Sequence, residues 1–170
     1  MSAVIARRPQ RTYTAAPAGT HHAVCIDVQN LGLVQSAWGQ KHKVRIVWQI
    51  ALIDDTHKRR FELARLYTLS LGERAALRAD LERWRGKKFT NEELDGGFDL
   101  EKLIGVNCQL LVTHDLGDDG TTYANVTSVL PPGKGLVKLF PLEFTRLRDR
   151  QASRGPAVPA TELDEDPVPF

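Results

Sequence analysis

The middle of the chain alternates apolar and polar residues with the two-residue period of a β-strand. In residues 43–53 (KVRIVWQIALI), the polar residues Lys43, Arg45 and Gln49 share one face. The apolar residues of this segment share the other face: Val44, Ile46, Trp48, Ile50 and Leu52. The pattern predicts a strand buried on one side, with Trp48 in the core and the basic residues directed outward.

Two further segments with strand character flank this one along the sequence. Residues 22–35 precede it, with Gly32 expected to mark a bulge or bend, and residues 60–69 follow it. Residues 36–42 and 54–58 are short and polar, as expected of turns. Three consecutive strands joined by short turns predict an antiparallel meander.

A helix is predicted after the third strand. Ser70 and Glu73 have the spacing of a capping box, and Gly86 is a typical helix-ending residue. Apolar residues recur between them at helical spacing and are expected to face the core, namely Leu77, Leu81 and Trp84. The polar residues expected outside them are Arg74, Arg78, Asp80 and Glu82.

Short helical pieces and two more strands complete the predicted domain. Residues 90–93 and 98–103 predict short helical turns, while residues 105–114 and 122–130 predict strands joined by the acidic turn 115–120. Three strands, a helix and two strands match the OB-fold, a five-stranded Greek-key barrel with a helix between strands 3 and 4. We therefore predict a mainly β protein with this fold and a disordered C-terminal tail.

Composition divides the chain into four regions. Residues 1–20, rich in Ala, Pro, Arg and Thr, are expected to form a flexible basic arm. Residues 21–150 are expected to form the barrel, with a basic extension after residue 131 that packs back on it. Residues 151–163 have too little apolar content to fold alone and are predicted to be a linker, followed by an acidic tip at 164–170.

Charge is unevenly distributed along the chain. Residues 161–170 contain four acidic residues and no Lys or Arg, whereas residues 1–160 contain all 23 basic residues and 17 acidic ones. A positive body with an anionic end indicates a surface that binds polyanions and a separate acidic segment that binds a protein.

Several classes of protein are not expected from this sequence. No apolar stretch approaches the roughly 20 residues of a membrane span, and no signal-peptide core occurs, so we expect a cytoplasmic protein. No P-loop, nucleophile elbow or HExxH motif is present, so neither an enzyme nor a metal or cofactor site is predicted. Cys25 and Cys108 lie in apolar strand segments and are expected to be buried free thiols rather than a disulfide.

The last seven residues form a short acidic and aromatic segment, Asp164-Glu165-Asp166-Pro167-Val168-Pro169-Phe170. The aromatic ring offers an apolar anchor, the acids steer the segment toward a basic pocket, and the prolines keep it extended. The segment resembles the acidic tip of bacterial and phage single-stranded-DNA-binding proteins. The match is carried by Asp164, Glu165, Asp166, Pro169 and Phe170, whereas Pro167 stands where an acid is common. In that family the tip docks helicases, exonucleases, primases and recombination mediators, so the resemblance implies recruitment of such partners here.

Residues 20–135 are similar to a family of small phage and prophage proteins associated with recombination and replication genes and with single-stranded DNA binding. The similarity is carried by residues 67–71, 77–78, 81, 84–86, 89–90 and 98–100. It implies a phage-type DNA-binding protein that acts in replication, recombination or repair, in the bacterial host cytoplasm if it is phage-encoded.

Binding of single strands without sequence preference requires cations along the phosphates and aromatic faces for the bases. In an OB barrel the second and third strands and the first loop usually supply them. The first loop offers Trp38 for base stacking, with Lys41 and Lys43 beside it. The other candidates, on the second and third strands, are Arg45, Arg59, Arg60, Arg65 and Tyr67. Local packing remains an alternative for Trp38, and a core position remains one for Tyr67.

Two other functions are compatible with the acidic tip. One is a protein-interaction adapter that engages host repair or replication proteins. The other is a recombination-mediator accessory that binds single-stranded DNA together with an annealase. Because a single OB barrel grips only about 4–16 nucleotides, a homo-oligomer is favoured.

Overall fold

The computed structural model describes residue 6 and residues 14–153. These residues form β1 (Gly19–Ser36), β2 (Gly39–Asp54), β3 (Arg59–Thr68), α1 (Ala76–Arg85), α2 (Asn91–Gly96), a 3₁₀ turn (Leu100–Leu103), β4 (Asn107–Leu116), β5 (Thr122–Leu130) and α3 (Leu147–Ser153). The prediction of a mainly β protein is confirmed. Most of the predicted basic arm, the linker from residue 154 onward and the acidic tip lie outside the described residues.

The five strands form one antiparallel sheet in the order β3-β2-β1-β4-β5. The long strand β1 lies at its centre because its first residues, Gly19–Val24, pair with β4 while its length from Ala23 to Ser36 pairs with β2. A shift of register between Asn30 and Gly32 confirms the predicted bulge. The edge strands β3 and β5 contact each other, so the open sheet is consistent with a barrel-like fold.

The inner face of the sheet and helix α1 enclose the main hydrophobic core. Trp48 is fully buried, as predicted, and its ring lies 6.2 Å from the ring of Trp84 on α1. The Trp84 indole nitrogen donates a hydrogen bond of 2.8 Å to the Asn107 carbonyl oxygen, which fixes the helix against the start of β4. Cys25 and Cys108 are buried free thiols in this core, as predicted. None of the described helices has the length and apolar character needed to cross a membrane.

Helix α1 begins later than the sequence predicted. Its N-cap is Ala75, which has no side chain able to cap, and the predicted capping box at Ser70 is wrong. The Ser70 hydroxyl instead accepts a hydrogen bond from the Gly72 amide, a local turn that competes with capping. Gly86 ends the helix in the left-handed conformation, as predicted. A complete capping box occurs at Thr90, at the start of α2.

Strand β2 keeps its predicted alternation only as far as Ile50. A register shift between Gln49 and Ile53 interrupts its pairing with β3. Leu52 is therefore partly exposed, and its predicted place on the buried face is wrong. Gln49 lies on the outer face, as predicted, but it is buried there.

The cover over Gln49 is the segment after β5, residues 131–146, which we call the strap. Leu139 and Phe144 of the strap pack on the outer faces of β1 and β2. The Gln49 side chain exchanges two hydrogen bonds with the backbone of Leu142, at 2.8 and 2.9 Å, and Asn107 does the same with Leu139. The extension packs back on the sheet, as predicted.

A buried ion pair anchors the end of the strap. Asp27 of β1 is 1% exposed, and its two carboxylate oxygens accept hydrogen bonds of 2.9 Å from Arg146 Nε and from the Leu147 amide. Burial raises the pKa of the Asp27 carboxyl, but these hydrogen bonds outweigh burial and hold the pKa below its usual range. Arg146 also makes two hydrogen bonds to Glu101, which fixes the strap to the 3₁₀ turn.

Candidate nucleic-acid interface

The hairpin formed by β1 and β2 carries positive charge without compensating acids. Residues 28–53 contain no Asp or Glu, but they include Lys41, Lys43 and Arg45. The acids that bound this stretch, Asp27 and Asp54, are both buried. The hairpin therefore presents a cationic surface.

The tip of this hairpin holds an exposed tryptophan. Trp38 follows Ala37 in a two-residue turn and is 88% exposed. The Ser36 hydroxyl closes the turn by donating a hydrogen bond of 2.6 Å to the Gly39 carbonyl oxygen. Gly39 adopts a φ of 104°, which glycine adopts far more readily than residues with a side chain. Since so little of Trp38 is covered, local packing does not account for it.

The basic residues of β2 lie on the outer face of the sheet, as predicted. Lys43 and Arg45 pair with Thr68 and Leu66 of β3, and Lys43 Nζ donates a hydrogen bond of 2.7 Å to the Thr68 hydroxyl. Arg45 makes one long contact of 3.5 Å with the Gln29 side chain. Lys41 is exposed and has no hydrogen-bond or ionic partner in the described part of the chain. These three cations therefore remain available to an anionic ligand.

Arg65 and Tyr67, both candidates for DNA binding from the sequence, do not belong to this surface, and the core alternative holds for Tyr67. Tyr67 is 2% exposed, and its hydroxyl donates a hydrogen bond of 2.6 Å to Asp80 Oδ2. Arg65 lies over the Tyr67 ring at 5.1 Å and forms an ion pair of 2.6 Å with the same carboxylate. Burial and the neighbouring Asp80 carboxylate raise the pKa of Tyr67, so its hydroxyl stays a hydrogen-bond donor. Both side chains hold α1 against β3.

The predicted place of Asp80 on the exposed side of α1 is also wrong. Asp80 is 2% exposed and binds Arg65, Tyr67 and Arg83. Its spacing of three residues from Leu77 and four from Trp84 puts it on the apolar stripe of the helix. That spacing is the signal that predicts its burial.

Arg59 and Arg60 lie at the turn between β2 and β3, at the far end of β2 from Trp38. Each residue of β2 rises about 3.3 Å, so the strand measures roughly 50 Å along its length from one end to the other. The strap lies between them, and Arg60 Nη1 donates a hydrogen bond of 2.6 Å to the Phe140 carbonyl oxygen. The structure therefore separates these two candidates from Lys41, Lys43 and Arg45.

The chain matches no protein-family model and no curated protein.

The hairpin between β4 and β5 has the opposite character. Its tip carries exposed Asp118 and Asp119, and Asp115 lies on the adjoining strand. Hydrogen bonds from the Thr121 amide and side chain hold the pKa of the Asp119 carboxyl below its usual range, so this group stays charged. These negative charges make the β4–β5 hairpin unfavourable for a polyanion, and the β1–β2 hairpin is therefore the candidate interface.

Proposed function

We propose that this protein binds single-stranded DNA without sequence preference on the outer face of the β1–β2 hairpin. The observation that carries the proposal is the exposed Trp38 at the tip of a hairpin that has three outward cations and no exposed acid. An aromatic ring stacks on any base, and the cations Lys41, Lys43 and Arg45 neutralise phosphates. Neither interaction depends on sequence.

The topology supports an OB-type Greek-key barrel as the scaffold of this interface. Strand β1 pairs with both β2 and β4, α1 lies between β3 and β4 in the chain, and β3 contacts β5. This arrangement supports an OB-type barrel, in which the face of the second and third strands and the first loop bind single strands. Here that loop is the turn that contains Trp38.

In this proposal the protein protects single strands during replication, recombination or repair, and residues 164–170 recruit other DNA-processing proteins. The body of the chain is positive and residues 161–170 are negative, so the two binding functions are separated along the sequence. A single barrel contacts few nucleotides, and we propose that several copies assemble on longer DNA.

Trp38→Ala is expected to weaken binding to oligo-dT by about 1–3 kcal/mol, because the loss of one base-stacking partner has this magnitude. Fluorescence anisotropy with labelled oligo-dT measures the change in dissociation constant. Leu116→Ala, which removes an exposed apolar side chain from the end of β4, is the matched control and should leave binding unchanged. An unaltered dissociation constant for Trp38→Ala would remove the stacking role.

The intrinsic fluorescence of the protein offers a second measurement of the same contact. The chain has three tryptophans, and Trp48 and Trp84 are buried. Oligo-dT should therefore quench the emission of Trp38, and Trp38→Phe should lose this quenching while it retains most of the affinity. Quenching that persists in Trp38→Phe would contradict the assignment.

An adapter that binds only proteins is the second candidate function, and the exposed apolar side chains of the strap favour it. Val137 and Phe140 are exposed on the strap, as expected of a surface that binds a protein. The adapter predicts recruitment of partners without affinity for oligo-dT, which distinguishes it from the DNA-binding proposal.

Deletion of Phe170 is expected to weaken recruitment at least tenfold, because the segment then lacks its aromatic anchor. The probe is a purified helicase or exonuclease that binds the acidic tip of single-stranded-DNA-binding proteins. Its dissociation constant for the deletion variant is compared with that for the full chain. Affinity for oligo-dT should stay equal or rise slightly, since the acidic segment competes for the cationic surface. Thr161→Ala is the control. If the deletion variant recruits the probe as well as the full chain does, the tip assignment is overturned.

A further inference from the structure

An open groove lies beside the start of β2. Strand β3 ends at Thr68, the Leu69 amide makes a last hydrogen bond of 2.8 Å to the His42 carbonyl oxygen, and the chain then turns away toward α1. The first residues of β2 are therefore left without a partner strand on this side. The space between them and the segment that leads to α1 has a volume of about 510 Å³.

Basic and hydroxylic side chains supply the polar lining of this groove. Lys41 and Lys43 of β2, Thr68 and Ser70 at the end of β3, and Arg74 before α1 all line it, together with apolar residues that include Leu66, Ala75 and Ala76. None of the described residues that line the groove is acidic. Arg74 is exposed and makes no hydrogen bond or ion pair with any residue in the part of the chain that the structure describes. The groove is therefore suited to an anion.

The strap blocks the path that a bound DNA strand would otherwise have along β2. It covers β2 beyond Arg45, where Val47 and Gln49 are buried under it. A single-stranded DNA that contacts Lys43 and Arg45 therefore has no open path along β2 toward Arg59. The groove toward Arg74 is the uncovered continuation.

We infer that a single strand bound at the β1–β2 hairpin passes through this groove and places a phosphate between Lys41 and Arg74. Arg74 is then a further DNA-binding residue. The DNA crosses the end of β3 and does not run along the length of β2. A guanidinium binds a phosphate through two parallel hydrogen bonds, and the hydroxyls of Thr68 and Ser70 are additional donors within the groove. This inference rests on the proposed function.

Arg74→Ala is the first test, because Arg74 is exposed and its removal leaves the core intact. The loss of one phosphate contact on a single strand lowers the slope of log K against log salt concentration by about 0.7. The affinity for oligo-dT should fall about fivefold at 0.1 M salt, and further in Arg74→Glu. Arg74→Lys should retain most of the slope because it keeps the charge. Lys88→Ala and Lys88→Glu, at the opposite end of α1, are the matched controls.

The outcomes separate this inference from the proposed function. If the wild-type chain binds oligo-dT and the Arg74 variants bind like the Lys88 variants, with an unchanged salt slope, the path through the groove is wrong while the DNA-binding proposal stands. If the wild-type chain does not bind oligo-dT at low salt, both are wrong. A lower slope in Arg74→Ala that Arg74→Lys restores supports the path.

Discussion

Asp80→Ala is expected to lower the free energy of unfolding by about 3 kcal/mol, the largest effect that we predict for a single substitution. Asp80 accepts hydrogen bonds from Tyr67, Arg65 and Arg83 while it is almost completely buried. Alanine leaves the buried Tyr67 hydroxyl without its acceptor and leaves Arg65 without its counterion. Breaking a buried ion pair costs about 3–5 kcal/mol, and the lower end applies because both arginines keep contact with water.

Urea unfolding of the two proteins measures this difference. Asp95→Ala on α2, where the carboxylate is exposed, is the control and should change the free energy of unfolding by less than about 0.5 kcal/mol. Tyr67→Phe supplies a milder variant in case Asp80→Ala does not fold, with an expected loss of about 1–2 kcal/mol. Losses below these values in both variants would mean that the cluster does not hold α1 to β3.

The triple variant Lys41→Ala/Lys43→Ala/Arg45→Ala is expected to weaken binding to oligo-dT about 100-fold at 0.1 M salt. Each phosphate contact on a single strand is worth about fivefold at this salt concentration, and the slope of log K against log salt should fall by about 2 in total. Stability should change little, because these side chains lie outside the core and their hydrogen bonds are with Thr68 and Gln29.

A second triple variant distinguishes the loss of a specific binding surface from the loss of net positive charge. Lys87→Ala/Lys88→Ala/Lys102→Ala removes the same charge from exposed positions outside the two strands of the hairpin. It should lose only a few-fold in affinity through the weaker overall field. Equal losses in the two triple variants would show that the β1–β2 hairpin is not the binding surface.

The sequence predicted the strands and the C-terminal end of helix α1 within a few residues because their inner faces alternate or recur with a regular period. Trp48, Leu77 and Trp84 follow that period and are buried. The position of Trp38 was also predictable, since a tryptophan at a polar turn beside a glycine has little apolar sequence around it.

Features that depend on contacts between distant segments were not predictable in the same way. The burial of Gln49 requires the strap, which lies 93 residues further along the chain at Leu142. The alternation of side chains along β3 did not decide whether Tyr67 is buried or exposed, because both positions were compatible with the pattern. The deciding contact comes from Asp80 on α1, a charged residue that the polar pattern placed in solvent.

The separation of Arg59 and Arg60 from the other cations has the same origin. All of these residues lie on β2 and β3 or at the turn between them, so the sequence grouped them as one surface. The strap divides that surface by covering Val47 and Gln49. Its course follows from side-chain hydrogen bonds to its backbone, for which no local sequence pattern exists.

The most direct test of the DNA-binding proposal is fluorescence-anisotropy titration of labelled oligo-dT and of a matched duplex across a salt series. We predict tight binding to the single strand, weak binding to the duplex, and a steep loss of affinity as salt rises. Absence of binding to oligo-dT at low salt would contradict the proposal and favour the protein-binding adapter.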